Sequence, residues 1–208
     1  MLDISSPLSP AEWSALLALA TASSFTPGPN TTLSAALGAN RGWLASLPFI
    51  SAVPLGCGLI FALCAVGVGG LVAEMPELRR VMLLGGVSYL LWLALRLWRS
   101  HRLSDASSSD LSISFAQGVM LQFLNVKVWM LELSFVAGWL AGQAAFWSRF
   151  AAILPVVLGF AFASNLTYAL VGSALRHWLA YGQRLLWFNR AMATALALTA
   201  GWMLRGLA

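Results

Sequence analysis

The sequence predicts an all-α integral membrane protein, with six transmembrane helices arranged as two inverted three-helix halves and a broken first helix. Three observations carry that reading. Of 208 residues, 60% are hydrophobic and 9% are charged, whereas a soluble domain carries about 25% charged residues. Residues 13–40 hold no charged side chain, and a bilayer crossing takes ~20 apolar residues. Inside that run lies Thr26-Pro27-Gly28-Pro29-Asn30, a stretch that cannot continue a helix: the prolines lack N–H donors and clash with the preceding turn.

The elements follow in order. The first apolar segment covers 12–37 with its break at 27–29, and the second lies within the uncharged stretch 42–73. The third is 79–98, closing on Arg96 and Arg99, whose stems can snorkel to the headgroups. The fourth, fifth and sixth are 113–140, 148–174 and 186–205. None shows strand alternation, and helices satisfy their own backbone groups in lipid. The polar stretch 99–112, rich in Ser and Asp, reads as a linker. It divides a single membrane domain, 1–208, into halves of about 1–98 and 113–208. Residues 1–12 contain no Lys or Arg, so the first segment reads as a retained span and not as a secretory leader.

Basic residues set the expected orientation. Arg41, Arg96, Arg99, Arg102, Arg176, Arg184 and Arg190 fall on one side, and Arg79, Arg80, Arg149 and Arg205 on the other. The richer side belongs in the cytoplasm, which puts both termini outside. Trp43, Trp98, Trp147 and Trp178 fall near the expected interfaces. The net charge of +5 is explained by loop charge, and nucleic acid is not an expected partner. Glycines within the spans, including Gly56, Gly58, Gly85 and Gly86, suit close helix packing and would equally serve a homodimer. Gly67-Val68-Gly69-Gly70 has no following Lys and is not a phosphate loop.

A helix break within lipid survives only against protein or a wet cavity, so Pro27, Gly28, Pro29 and Asn30 mark a place where something polar binds or passes. Ionisable groups inside a span are costly and usually functional. This chain has Lys127 and Glu132, both in the fourth segment, with Gln122 and Asn125 just before them. Five residues apart, Lys127 and Glu132 diverge by about 140° on an ideal helix. They face one site only if the helix is unwound there, or if one of them pairs with another span. The break in the first span and the cluster in the fourth occupy corresponding places in the two halves, as in transporters with a site between inverted repeats.

These motifs resemble the LysE/RhtB family of bacterial amino-acid exporters. The matching residues are Thr26-Pro27-Gly28-Pro29-Asn30, Gly38-Ala39-Asn40-Arg41-Gly42-Trp43, Gly85-Gly86-Val87-Ser88-Tyr89-Leu90-Leu91-Trp92-Leu93-Ala94, and Phe115-Ala116-Gln117-Gly118 leading to Asn125-Val126-Lys127. The family's pattern at the last of these is Asn-Pro-Lys, and Val126 stands in place of the proline. Asn165 lies nearest to where the family often carries an acid in the fifth span. The resemblance implies proton-driven export of an amino acid or related small metabolite. In the corresponding reading, Lys127 pairs with the cargo carboxylate. Backbone groups at 27–30 bind one end of the zwitterion, Asn30, Asn125 and Asn165 orient it, and Glu132 couples to protons.

Two other functions compete. A thiol-redox relay would use Cys57 and Cys64, which sit ~10 Å apart along one helix, too far for a mutual disulfide. A cation or metal exporter would need clustered ligands, whereas His101 and His177 are expected in loops. No enzyme motif or cofactor site is evident: Ser23 and Ser24 lack a neighbouring base.

Overall fold

The computed structural model describes residues 6–100 and 112–205, which are helical with no strand among them. Most of the expected 99–112 linker, with His101 and Arg102, lies outside the described residues. The helices are α1 (Pro10–Phe25), α2 (Pro29–Arg41), α3 (Trp43–Ala65), α4 (Val68–Glu74), α5 (Pro76–Arg99), α6 (Phe115–Leu124), α7 (Val126–Phe135), α8 (Phe146–Leu179) and α9 (Arg184–Leu204). A π-helical turn, Val136–Leu140, extends α7.

Three helices, α3, α5 and α8, are long and apolar enough to cross a bilayer. α6 and the continuous α7–π segment make a fourth candidate if taken together, bent by 72°. The expected first segment is two short helices of 16 and 13 residues. Their ends follow from sequence. Ser9 and Glu12 form a capping box at the start of α1, satisfying two amides that a helix start leaves open. Thr26 and Gly28 are extended, as residues before proline are. Pro29 then opens α2, where its missing N–H costs nothing.

Two glycines make turns that L side chains resist. Gly42 (φ 82°) joins α2 to α3. Gly67 (φ 94°) ends the second segment at Ala65 and starts the separate α4, which the uncharged run 42–73 does not reveal. The fifth segment continues to Leu179, so His177 is exposed in the last turn of α8 and not in a loop.

α2 packs along α8, α3 along α6 and α8, and α5 along α9. The α2–α8 contact is backbone to backbone. A Cβ on Gly38 would come within 2.1 Å of the Ala169 carbonyl oxygen, and one on Gly172 within 2.1 Å of that of Ala35. The apolar core runs through Leu16, Leu33, Phe49, Ile60, Leu121 and Leu196. Buried polar residues thread it, among them Ser34, Asn40, Gln122, Asn165 and Asn189.

Candidate functional site

The end of α1 and the starts of α2 and α7 converge with α3 and α8 on a cavity inside the helical core. Its volume is about 80 Å³, counted as space open to water centres. One water needs roughly 10–15 Å³ on that measure, so the cavity has room for several waters or a small polar solute.

Two helix starts reach this space. The amides of a first helical turn have no acceptor within the helix, and the helix dipole adds partial positive charge there. Such a start is therefore a ready site for an anion. At α2, the Thr31 hydroxyl accepts from the Gly28 amide at 2.9 Å, and Asn30 and Thr31 line the cavity. At α7, Asn125 is the N-cap: its side-chain oxygen accepts from the Lys127 amide at 3.2 Å. The 72° bend forms here with Val126 in the place of a proline, because a capping side chain can start a helix as proline can.

Lys127 follows the second break and reaches towards the first. Its Nζ lies 3.6 Å from where a Cβ on Gly28 would stand. Glu132 lies one turn and a half further along α7, 1% exposed, and its Oε2 has no hydrogen-bond partner. Among the described residues neither Lys127 nor Glu132 forms an ion pair, yet both line the cavity. Both stand on the unbroken helix α7, with no unwinding between them, and each lines the cavity at its own height.

Amide pairs hold these parts in place. Asn30 and Gln122 bond reciprocally across α2 and α6, at 2.7 and 3.2 Å. Ser34 donates to the Asn165 carbonyl oxygen at 2.8 Å, while the Asn165 amide donates to Ala161. Near the far end of α2, Asn40 and Asn189 form a second reciprocal pair, at 2.7 and 2.9 Å, and Asn189 also donates to the Ser100 carbonyl. Towards the opposite end of the molecule, Arg149 bonds the Glu12 carboxylate at 2.7 Å and the Trp139 carbonyl at 3.2 Å, joining α1, α8 and the π-helical turn.

Of the residues singled out from sequence, Gly28, Pro29, Asn30, Asn125, Lys127, Glu132 and Asn165 line one cavity. Pro27 does not: it is exposed and serves to make the break. Asn30, Asn125 and Asn165 each already hold a protein partner. Cys57 lines the cavity, Cys64 does not, and both are free thiols. Thr31, Ser164 and the clamp residue Gln122 were not chosen from sequence. Gln122 had a signal, an uncharged amide in an apolar run, but its partner lies 92 positions away. No three His, Cys, Asp or Glu side chains cluster as a metal set among the described residues.

Apolar helices of spanning length around a polar, internally charged cavity define a multi-pass membrane protein. The family model described as "LysE type translocator" matches residues 21–206, and the chain belongs to that family. It is similar to a protein named cysteine/O-acetylserine efflux protein from Klebsiella pneumoniae subsp. pneumoniae, 27% identical over 190 residues, covering 89% of this chain and 94% of that one. Relatives of the same name from Salmonella choleraesuis (28% over 166 residues) and Escherichia coli K12 (27% over 163 residues) each cover 77% of this chain and 82% of their own. No solved structure matches the chain.

Proposed function

We propose that this protein exports a small zwitterionic amino acid across the bacterial inner membrane, driven by the proton gradient. The observation that carries the reading is the cavity itself, where Lys127 and Glu132 stand unpaired between two helix starts. Glu132 is buried, where a charge without a partner is strongly unfavourable; Lys127 is exposed at the cavity wall, and a zwitterion supplies a partner to each. Its carboxylate fits Lys127 and the starts of α2 and α7, and its ammonium fits Glu132. Asn30, Asn125 and Asn165 act by holding the helix starts in register, since each is bonded to protein. The modest volume favours short side chains, in keeping with the cysteine and O-acetylserine for which the relatives are named.

In this mechanism Glu132 alternates between holding the cargo ammonium and holding a proton, which exchanges export for proton entry. α1 and α2 together form the first span, α3, α5, α6–α7, α8 and α9 supply the other five, and the halves are inverted. Both termini face the periplasm. Rocking of one half against the other exposes the cavity to each side in turn.

Uptake of labelled cysteine, O-acetylserine and lysine into inverted vesicles, with and without a pH gradient, tests the reading. Gradient-dependent uptake of the first two is expected. Uptake indifferent to the gradient removes proton coupling, and uptake of lysine alone removes the small neutral cargo.

A further inference from the structure

A second, larger space adjoins the first. It is about 740 Å³ on the same measure and lies between the start of α5, the start of α7 and the end of α9. Its wall carries Arg79, Arg80, Arg205 and Lys127 and no carboxylate. Arg80 pairs with Glu77 from its own helix at 2.8 Å, with both side chains largely exposed. Such an exposed pair is worth little and yields readily. Arg79 and Arg205 are exposed and form no ion pair among the described residues.

The rest of the wall is apolar: Pro76, Leu83, Val126, Met130, Trp202 and Met203, with Trp202 65% exposed. Cations gathered at the ends of two apolar helices, above an apolar floor, match an amphiphile and not a water-filled passage. The anion belongs at headgroup depth, where arginine forks engage phosphate oxygens in pairs. Aliphatic chains then lie along Leu83, Met130 and Trp202.

We propose that this groove binds an anionic phospholipid, its phosphate held between Arg79, Arg80 and Arg205 and its acyl chains covering the apolar floor. Lys127 lines both this groove and the small cavity, so lipid phosphate and cavity ligand draw on the same ammonium. The site does not depend on what the cavity transports, and its test needs no transport.

Native mass spectrometry of the purified full chain in detergent, titrated with phosphatidylglycerol or phosphatidylcholine, decides it. Phosphatidylglycerol should be retained and phosphatidylcholine held at least about tenfold less, given three surface arginines. Arg79→Gln and Arg205→Gln should each weaken phosphatidylglycerol about fivefold. The Arg79→Lys/Arg205→Lys pair, which keeps the charge, should hold most of the binding. Arg184→Gln, at the opposite end of α9, should change nothing. Monodisperse elution and unchanged helical circular dichroism establish that each variant is folded. Equal retention of the two lipids overturns the proposal, as does parent-like binding in both the Arg79→Gln and the Arg205→Gln variants. Displacement by free glycerol phosphate at matching concentration overturns the lipid source in favour of a soluble phosphate.

Discussion

The two helix breaks that meet at the cavity are built from different parts. Between α1 and α2 the chain is interrupted by Pro27 and Pro29, and what it offers the cavity is backbone and uncharged side chains, Asn30 and Thr31 among them. Between α6 and α7 no proline is present. Asn125, buried at the turn, caps the new helix, and that helix carries both charges, Lys127 and Glu132. One break is made by removing hydrogen-bond donors, the other by supplying an acceptor. Proline is therefore one means among several of opening a helix inside a membrane. The comparison also separates labour: the first break contributes a fixed helix start, and the second contributes the charges that a cargo would neutralise.

Substitutions on α7 should accordingly outweigh those at the first break. Glu132→Gln is expected to have the largest effect, abolishing the response of vesicle uptake to a pH gradient while the protein still folds. A gradient response that survives would take the coupling role from Glu132. Lys127→Ala should raise the half-saturating cargo concentration about 10- to 150-fold, from the roughly 1.5–3 kcal/mol of a hydrogen bond to a charged group. Asn30→Ala measured beside it should do less, and the reverse order would break the division of labour. Asn125→Ala should lower stability by about 1 kcal/mol, the usual cost of losing a capping side chain, read as thermal unfolding in detergent.

The smallest effect sharpens the comparison most. Val126 is the first residue of α7, where proline is tolerated, and Asn125 before it is already extended (φ −93°, ψ 93°). Val126→Pro should therefore stabilise by about 0.4–1 kcal/mol, and in the Asn125→Ala background it should recover much of the loss. Destabilisation instead would show that the second break depends on the Val126 amide.

Much of this was legible in residue order. Pro27-Gly28-Pro29 announces its break because two donors are lost within three positions. The isolated Pro48, Pro54 and Pro155 do not, and they lie inside continuous helices α3 and α8, where packed neighbours accommodate a single missing bond. Lys127 and Glu132 stood out because charge in an apolar run is rare. Their sharing of one cavity did not, since a helical wheel shows directions on one helix and not the space that α1, α2, α3 and α8 leave around it. The Asn30–Gln122, Asn40–Asn189 and Glu12–Arg149 contacts join residues 92, 149 and 137 positions apart, and no local pattern pairs them. The end of the second segment at Ala65 was hidden because Gly67 differs from its apolar neighbours in backbone freedom and not in polarity.

The seam between α2 and α8 has a mechanical consequence. Where Gly38 and Gly172 bring main chain against main chain, no side-chain rotamers intervene to let one helix slip past the other. The halves that carry α2 and α8 can then pivot about this seam but not slide along it. α8 has 34 residues and is about 51 Å long, well beyond the ~30 Å of hydrocarbon it crosses. From Asn165 at the cavity to Arg176 near its packed end α8 rises only about 17 Å, so most of its length lies on the other side of the cavity and a pivot at the seam moves that longer arm the most.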